Sequence, residues 1–174
     1  YTYIVNKTDG QREMVEYEML DNSVLYVKIV SFRGNAVEFF KKALDFGVVN
    51  GYSSLIVDVR DNLGGELDTF AQIADMLLPK GEIFYAKMRS GEKTNVKTSD
   101  EKCINVPVCV LVNASSASAS EAFAGAMRDV GNAKIVGVKT YGKGVMQSTF
   151  TLSNGGAFKL TVGKYYLPSG ECIH

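Results

Sequence analysis

A chain of 174 residues, 46% hydrophobic and 22% charged, is long enough to bury one sizeable core. Its 19 basic and 19 acidic residues give a formal net charge of zero, which disfavours binding to nucleic acid or a membrane surface, because phosphates attract a surplus of positive charge. The only histidine is the last residue, His174, so a Ser-His-Asp or Cys-His catalytic unit is not expected. The three cysteines lack metal-ligand spacing, and pairing of Cys103 with Cys172 stays open.

Apolar strand patterns alternate with helix patterns over the first 138 residues, which predicts βαβ units and a mainly parallel sheet. Residues 1–22 are polar and are interpreted as short edge strands or the end of a preceding domain. Residues 23–174 contain no linker and are predicted to form one α/β domain. The predicted strands are 24–30, 55–59, 83–86, 107–112 and 135–138, the predicted helices follow Asn35, Gly65 and Ser118, and residues 89–102 are an exposed hairpin or loop. Asn154-Gly-Gly156 predicts a hairpin between residues 148 and 162.

A serine-rich stretch, Asn113-Ala-Ser-Ser-Ala-Ser118-Ala-Ser-Glu121, ends an apolar strand and opens an alanine-rich helix. Ser118 is the preferred nucleophile, ahead of Ser115, Ser116 and Ser120, because free N–H groups at a helix N-terminus stabilise negative charge beside it. Ser118-x-x-Glu121 also fits a capping box, and from this stretch alone a helix cap is the better interpretation.

A second stretch, Thr140-Tyr-Gly-Lys143-Gly-Val-Met-Gln147, places a lysine between two glycines. With no histidine at hand, a neutral lysine is the general base that a serine nucleophile would use. A lysine stays neutral near pH 7 only when apolar neighbours bury it, and Gln147 would orient its amine without adding charge. An isolated Gly-Lys-Gly is usually a solvated turn, so Lys143 as base is a hypothesis that depends on Ser118.

The paired glycines Gly64-Gly65 precede a predicted helix. Successive N–H groups in such a turn bind anions. Opposite Ser118, this turn and the Ala119 N–H would form an oxyanion hole, worth about 3 kcal/mol per donor. An ordinary glycine turn is the alternative.

Other patterns predict no chemistry. Ser90-Gly-Glu-Lys93 matches the S-x-x-K of penicillin-binding enzymes, but it lies in a polar segment without an apolar helix. Asp58, Asp61 and Asp75 lack metal-ligand spacing and are interpreted as structural or solvated.

From about Leu25 to Gly170 the chain resembles the carboxyl-terminal processing (tail-specific) proteases. The blocks that carry the resemblance, in order, are Leu55-Ile-Val-Asp-Val-Arg-Asp-Asn-Leu-Gly-Gly65, Ala74-Asp-Met-Leu-Leu-Pro79, Val112-Asn-Ala-Ser-Ser-Ala-Ser-Ala-Ser-Glu121, Val138-Lys-Thr-Tyr-Gly-Lys-Gly-Val-Met-Gln147 and Lys164-Tyr-Tyr-Leu-Pro-Ser-Gly170. The resemblance implies Ser118 as nucleophile, Lys143 as base, Gln147 as its orienting partner, and an oxyanion hole made by Ala119 with Gly64 or Gly65.

The resemblance also implies a crotonase/Clp-protease-like fold, endoproteolysis of polypeptides presented by their C-terminal ends, and no metal or cofactor. It implies an extracytoplasmic, bacterial setting and a possible homo-oligomer. Family members usually carry a PDZ domain before this core, of which residues 1–22 would be the end, and a core that continues beyond His174. Two rivals therefore stay open: a latent peptide-binding module with the protease fold, and, more weakly, a crotonase-like acyl-CoA enzyme.

Overall fold

The computed structural model describes residues 13–20 and 23–174 of the chain. Residues 1–12 and 21–22 of the predicted N-terminal segment lie outside the described residues. The elements in chain order are β1 (Val15–Leu20), β2 (Val24–Ile29), α1 (Ala36–Val49), β3 (Ser54–Asp58), α2 (Leu67–Asp75), β4 (Gly81–Met88), β5 (Lys93–Ser99), β6 (Val108–Val112), α3 (Ala119–Asp129), β7 (Lys134–Gly137), β8 (Val145–Thr151) and β9 (Ala157–Tyr166).

The first sheet has five strands in the order β1-β2-β3-β6-β7. β2, β3, β6 and β7 run parallel, and β1 pairs antiparallel with β2 at the edge. The predicted α/β class with a mainly parallel sheet is confirmed. Because β3 and β6 are parallel neighbours, the turns that follow them meet at the same edge of the sheet, where ligands usually bind in such folds.

The second sheet is antiparallel, with four strands in the order β5-β4-β9-β8. The hairpin predicted around Asn154-Gly-Gly156 is confirmed as β8–β9. β4, which the sequence predicted as a strand without assigning it to a sheet, forms a hairpin with β5 and pairs with β9. Its run Ile83–Ala86 is wholly buried, and a short apolar run of this kind does not show which sheet the strand joins.

Four buried phenylalanines connect the two sheets through α2 and α3. The ring centroid of Phe32, after β2, lies 6.3 Å from that of Phe70 in α2 and 5.7 Å from that of Phe123 in α3. Phe70 in turn lies 5.6 Å from Phe84 of β4. All four are fully buried, so the core holds the N-terminal ends of both helices against the first sheet.

The helix ends and the cysteines complete the description of the fold. Asn35 is the N-cap of α1, but its side chain makes no capping hydrogen bond and accepts one from the Met14 N–H at 3.2 Å. α2 ends at Asp75, four residues before Pro79. The cysteines are free thiols, so the pairing of Cys103 with Cys172 is absent. None of the helices in the described residues is long and apolar enough to cross a membrane.

Candidate active site

Ser118 lies at the turn from β6 into α3, where it is the N-cap residue. Its backbone has φ 58° and ψ −115°, a conformation that L residues rarely adopt. Such backbone strain costs about 1–3 kcal/mol and persists only where the surrounding structure holds it, as functional sites commonly do. The residue is half-buried, so its hydroxyl is neither locked in the core nor fully solvated.

Two neighbouring serines use their hydroxyls to connect the serine turn to the segment after β3. The buried Ser116 hydroxyl donates to the Val59 carbonyl oxygen at 2.7 Å, and the buried Ser120 hydroxyl donates to the Asn62 carbonyl oxygen at 2.9 Å. Ser115 is exposed. Ser118 and Glu121 form the capping box that the sequence suggested, in which the Glu121 carboxylate accepts from the Ser118 N–H at 2.8 Å. The Glu121 N–H also bonds to the Ser118 carbonyl oxygen at 3.0 Å.

Glu121, interpreted from the sequence only as a capping partner, joins the serine turn to the lysine turn. Its Oε2 accepts hydrogen bonds from the N–H groups of Ser118 and Lys143, each at 2.8 Å. Its Oε1 accepts from the Thr140 hydroxyl at 2.7 Å and the Gly142 N–H at 2.6 Å. The residue is only 6% exposed, so one buried carboxylate satisfies four donors. The sequence signal was its place in the first turn of α3, which gave no hint of the second stretch.

The lysine turn needs both of its glycines. Gly142 has φ +86°, which favours glycine, and a Cβ at Gly144 would collide with the backbone of Ile173 and His174. His174 Nδ1 lies 3.2 Å from the Gly142 carbonyl oxygen. The last residues of the chain therefore pack against the turn that carries Lys143.

The side chains of Lys143 and Gln147 are exposed, so the predicted burial of Lys143 is wrong for the chain by itself. Within the described part of the chain, neither side chain makes a hydrogen bond. The structure brings the backbone of Lys143 close to Ser118 and leaves its amine in solvent.

The glycine turn after β3 packs directly against the serine turn. A Cβ at Gly64, which has φ +97°, would lie 2.9 Å from the Ser118 Cβ and 2.9 Å from the Ala119 N. The Gly64 N–H already donates to Asn62 Oδ1 at 2.8 Å. Neither the Gly65 N–H nor the Ala119 N–H donates to another residue in the described ranges. Of the two glycines, Gly65 therefore has the N–H group that is not committed to an acceptor.

Asn62 is a residue that the sequence analysis missed. It is fully buried, and its Nδ2 donates to the Ile29 carbonyl oxygen at 2.8 Å while its Oδ1 accepts from Gly64. Its own carbonyl oxygen accepts from the Ala117 N–H at 3.0 Å as well as from Ser120. Asn62 thus fixes the glycine turn to the serine turn. Its place between strand and glycines in Arg60-Asp-Asn-Leu-Gly-Gly65 was the available signal.

Asp58, at the end of β3, is a buried structural carboxylate, as the sequence suggested. Its Oδ2 accepts from the Tyr26 hydroxyl at 2.6 Å and from Arg60 Nη2 at 2.6 Å. Burial alone would raise the pKa of Asp58, but the hydrogen bonds from Arg60 and Tyr26 hold that pKa below its ordinary value. Burial, together with the Asp58 carboxylate, raises the pKa of Tyr26 to about 12. Residues 13–20 and 23–174 contain no group of acidic, histidine and cysteine side chains that could hold a metal ion.

Known proteins match this chain over the region that contains the serine, lysine and glycine turns. The model of peptidase family S41 matches residues 23–174. A carboxyl-terminal-processing protease of Synechocystis is 40% identical over 152 residues, 87% of this chain and 36% of that protein. The carboxy-terminal processing protease CtpA of Bacillus subtilis is 32% identical over 163 residues, 93% of this chain and 35% of that protein.

The solved structure of a photosystem II D1 C-terminal processing protease superposes with a TM-score of 0.86 at 28% identity, over 94% of this chain and 46% of that one. The chain spans about a third of the length of these two curated relatives. The family expected from the serine, lysine and glycine blocks is confirmed by the match over 23–174: this chain belongs to peptidase family S41.

Proposed function

We propose that the chain is the core of a serine endopeptidase of the C-terminal processing type, with Ser118 as nucleophile and Lys143 as general base. The observation that carries the proposal is the shared carboxylate oxygen of Glu121, which ties the backbone of both residues to one point. Ser118 is also the serine of its stretch that has a rare backbone conformation, with φ 58°.

In the proposed reaction the neutral Lys143 amine takes the Ser118 proton as the hydroxyl attacks the scissile carbonyl carbon. The Ala119 N–H and the Gly65 N–H stabilise the oxyanion, because these two donors have no acceptor among the described residues. The leaving amine takes a proton from the lysine. Water then hydrolyses the acyl-enzyme with the lysine again as base, and no metal or cofactor takes part.

The exposure of Lys143 gives the bound polypeptide a role in this scheme. Burial among apolar groups favours the neutral form of an amine, which is the form that can act as a base. A polypeptide lying over Ser118 would cover the lysine turn from the side that is open in the free chain. Gln147, two residues into β8 and also exposed, would then bond to the amine as its orienting partner.

The same exposure supports a second candidate function, a latent module that binds polypeptides without turnover. Such a module would hold the fold and the peptide-binding edge but would never desolvate Lys143. In the two curated relatives the matching region is about a third of the protein. For the whole protein we propose action outside the cytoplasm on the C-terminal ends of polypeptides. We also propose a PDZ domain before residue 23 and a possible homo-oligomer.

One experiment separates the two candidates: incubation of the chain with an unfolded protein substrate, beside four variants. Ser118→Ala and Lys143→Ala should each lose about a thousand-fold or more in kcat, since a nucleophile and its base act as a unit. The exposed neighbours Ser115→Ala and Lys139→Ala are matched controls and should keep parental rates. Cleavage that survives in Ser118→Ala rules out the proposed dyad, whereas an inert parent that still binds the substrate supports the latent module.

A further inference from the structure

Three lysines stand side by side on adjacent strands of the second sheet. Lys87 of β4 is the direct cross-strand partner of Lys93 on β5 and of Lys164 on β9. Cross-strand partners project from the same face of a sheet, and adjacent strands lie about 4.8 Å apart, so the three amines cover roughly 10 Å of one face. Lys93, Lys87 and Lys164 are called the lysine row below.

Such a row is electrostatically unfavourable in the free protein, because like charges directly opposite one another destabilise a sheet. Glu82 bonds to Lys93 at 2.6 Å, and no other carboxylate among residues 13–20 and 23–174 forms a salt bridge with the row. The chain as a whole has equal numbers of acidic and basic residues, so this positive charge is local. Repulsion between neighbouring lysines goes against the rules of a stable sheet, and such exceptions are expected at functional sites, here one that binds a partner of opposite charge.

Two lysines of the row, Lys93 and Lys87, lie over a pair of stacked tyrosines. The Tyr85 and Tyr166 rings lie 5.4 Å apart with an interplanar angle of 9°. The Lys93 amine lies 4.1 Å from the centroid of Tyr85, and the Lys87 amine lies 5.1 Å from that of Tyr166. Attraction between an amine and a ring face gives the lysines a defined position while their charges stay exposed to solvent.

The lysine row lies next to the turn that carries the proposed catalytic lysine, Lys143. Lys164 is the cross-strand partner of Val145, two residues after Lys143. The next residue on β9, Tyr165, donates its N–H to the Gly144 carbonyl oxygen at 2.8 Å. A ligand held by the row therefore lies beside the turn that carries Lys143, on the face of β9 to which Lys164 points.

We propose that the lysine row binds acidic side chains of the polypeptide, in a segment next to the bond that is cleaved. The occupant follows from charge complementarity, since three cations spread over three strands match two or three carboxylates of an extended chain better than a single one. The inference rests on the proposed function and gives it a preference: acidic residues near the cleavage site strengthen binding.

The test measures binding, without cleavage, to the whole chain carrying Ser118→Ala. A fluorescently labelled peptide with glutamates at three alternate positions is compared with the same peptide carrying glutamines, each with a free and with an amidated C-terminus. The glutamate peptide should bind at least about five-fold more tightly at low salt, and the difference should shrink as salt screens exposed charges. Amidation should change neither affinity.

Variants of the row give the second arm. Lys87→Gln and Lys164→Gln should each weaken binding of the glutamate peptide about two- to five-fold and leave the glutamine peptide unchanged. Lys41→Gln, an exposed lysine on α1, is the control of equal charge and should change nothing. Lys87→Gln should also leave the melting temperature unchanged or raised, since it removes the central charge of the row.

Three results would overturn the inference. The first is equal affinity for the glutamate and glutamine peptides, and the second is loss of binding on amidation, which would assign the site to a terminal carboxylate. The third is a lower melting temperature in Lys87→Gln with unchanged binding. A chain that cleaves protein but shows any of these retains the proposed function. An inert chain with lysine-dependent binding of the glutamate peptide retains the inference and loses the proposed catalysis.

Discussion

The backbone N–H groups of Ser118 and Lys143 donate to the same carboxylate oxygen, Oε2 of Glu121. Two segments 25 residues apart in sequence are thus joined by a single buried group. All four bonds to the carboxylate come from donors, so the geometry requires both of its oxygens to act as acceptors.

Glu121→Gln should therefore disrupt the site although it preserves shape. The amide would place an NH₂ donor against backbone N–H donors and leave at least one of them without an acceptor, at about 1–3 kcal/mol. We expect the free energy of unfolding to fall by roughly that amount and cleavage to drop about a hundred-fold or more. Denaturant unfolding and kcat measure the two effects, with the exposed Glu101→Gln as control. Unchanged kcat in Glu121→Gln would show that the carboxylate does not position the site.

Asn62→Ala should separate the glycine turn from its support. The substitution removes both side-chain bonds, leaving the Ile29 carbonyl and the Gly64 N–H unpaired in the core, and should lower the free energy of unfolding by about 2–4 kcal/mol. The exposed Asn154→Ala is the control. If the proposed oxyanion hole includes this turn, kcat at a temperature where the variant is fully folded should also fall; a purely structural Asn62 would leave kcat intact.

Gly64→Ala tests the close packing against Ser118. Gly155 is the matched control, because it has a similar positive φ of +82° and nothing within 4 Å of a Cβ, whereas Gly64 has φ +97° and crowded surroundings. Gly155→Ala should cost about 1 kcal/mol, the conformational penalty alone. Gly64→Ala should cost at least about 1–3 kcal/mol more, as overpacking does, and should abolish cleavage. Equal destabilisation of the two variants would contradict the tight approach.

Acid and alkali should destabilise the protein partly through Asp58 and Tyr26. The pKa of Asp58 is lower in the folded than in the unfolded state, so the stability it contributes is present above about pH 4 and is lost as pH falls through its folded pKa. The pKa of Tyr26 is raised to about 12, so its contribution is present below about pH 10 and is lost between about pH 10 and 12.

Asp58→Asn tests how the free energy of unfolding depends on pH in acid and in alkali. The variant should be less stable at pH 7, and the part of its acid transition that belongs to Asp58 should vanish. Unfolding free energies measured between pH 3 and 11 for parent and variant give the comparison. Parallel curves over the whole range would mean that Asp58 does not contribute to the pH dependence.

Much of the fold followed from local patterns. The apolar runs of β2, β3 and β6 and the helical spacing of α1 and α3 indicated an α/β chain with parallel strands, and the structure has them. The sheet to which β4 belongs was not predictable, because a short buried apolar run looks the same in a parallel and in an antiparallel sheet. The hairpin at Asn154-Gly-Gly156 was predictable because its turn chemistry is local.

The sequence by itself determined the family and the residues proposed for catalysis, because glycines, a serine at a helix start and a lysine between glycines are properties of short stretches. Only the tertiary structure decided what joins them. The carboxylate of Glu121, the amide of Asn62 and the row formed by Lys93, Lys87 and Lys164 depend on partners up to 77 residues away. The exposure of Lys143 is likewise a tertiary property, since it depends on what packs over the turn rather than on the residues within it.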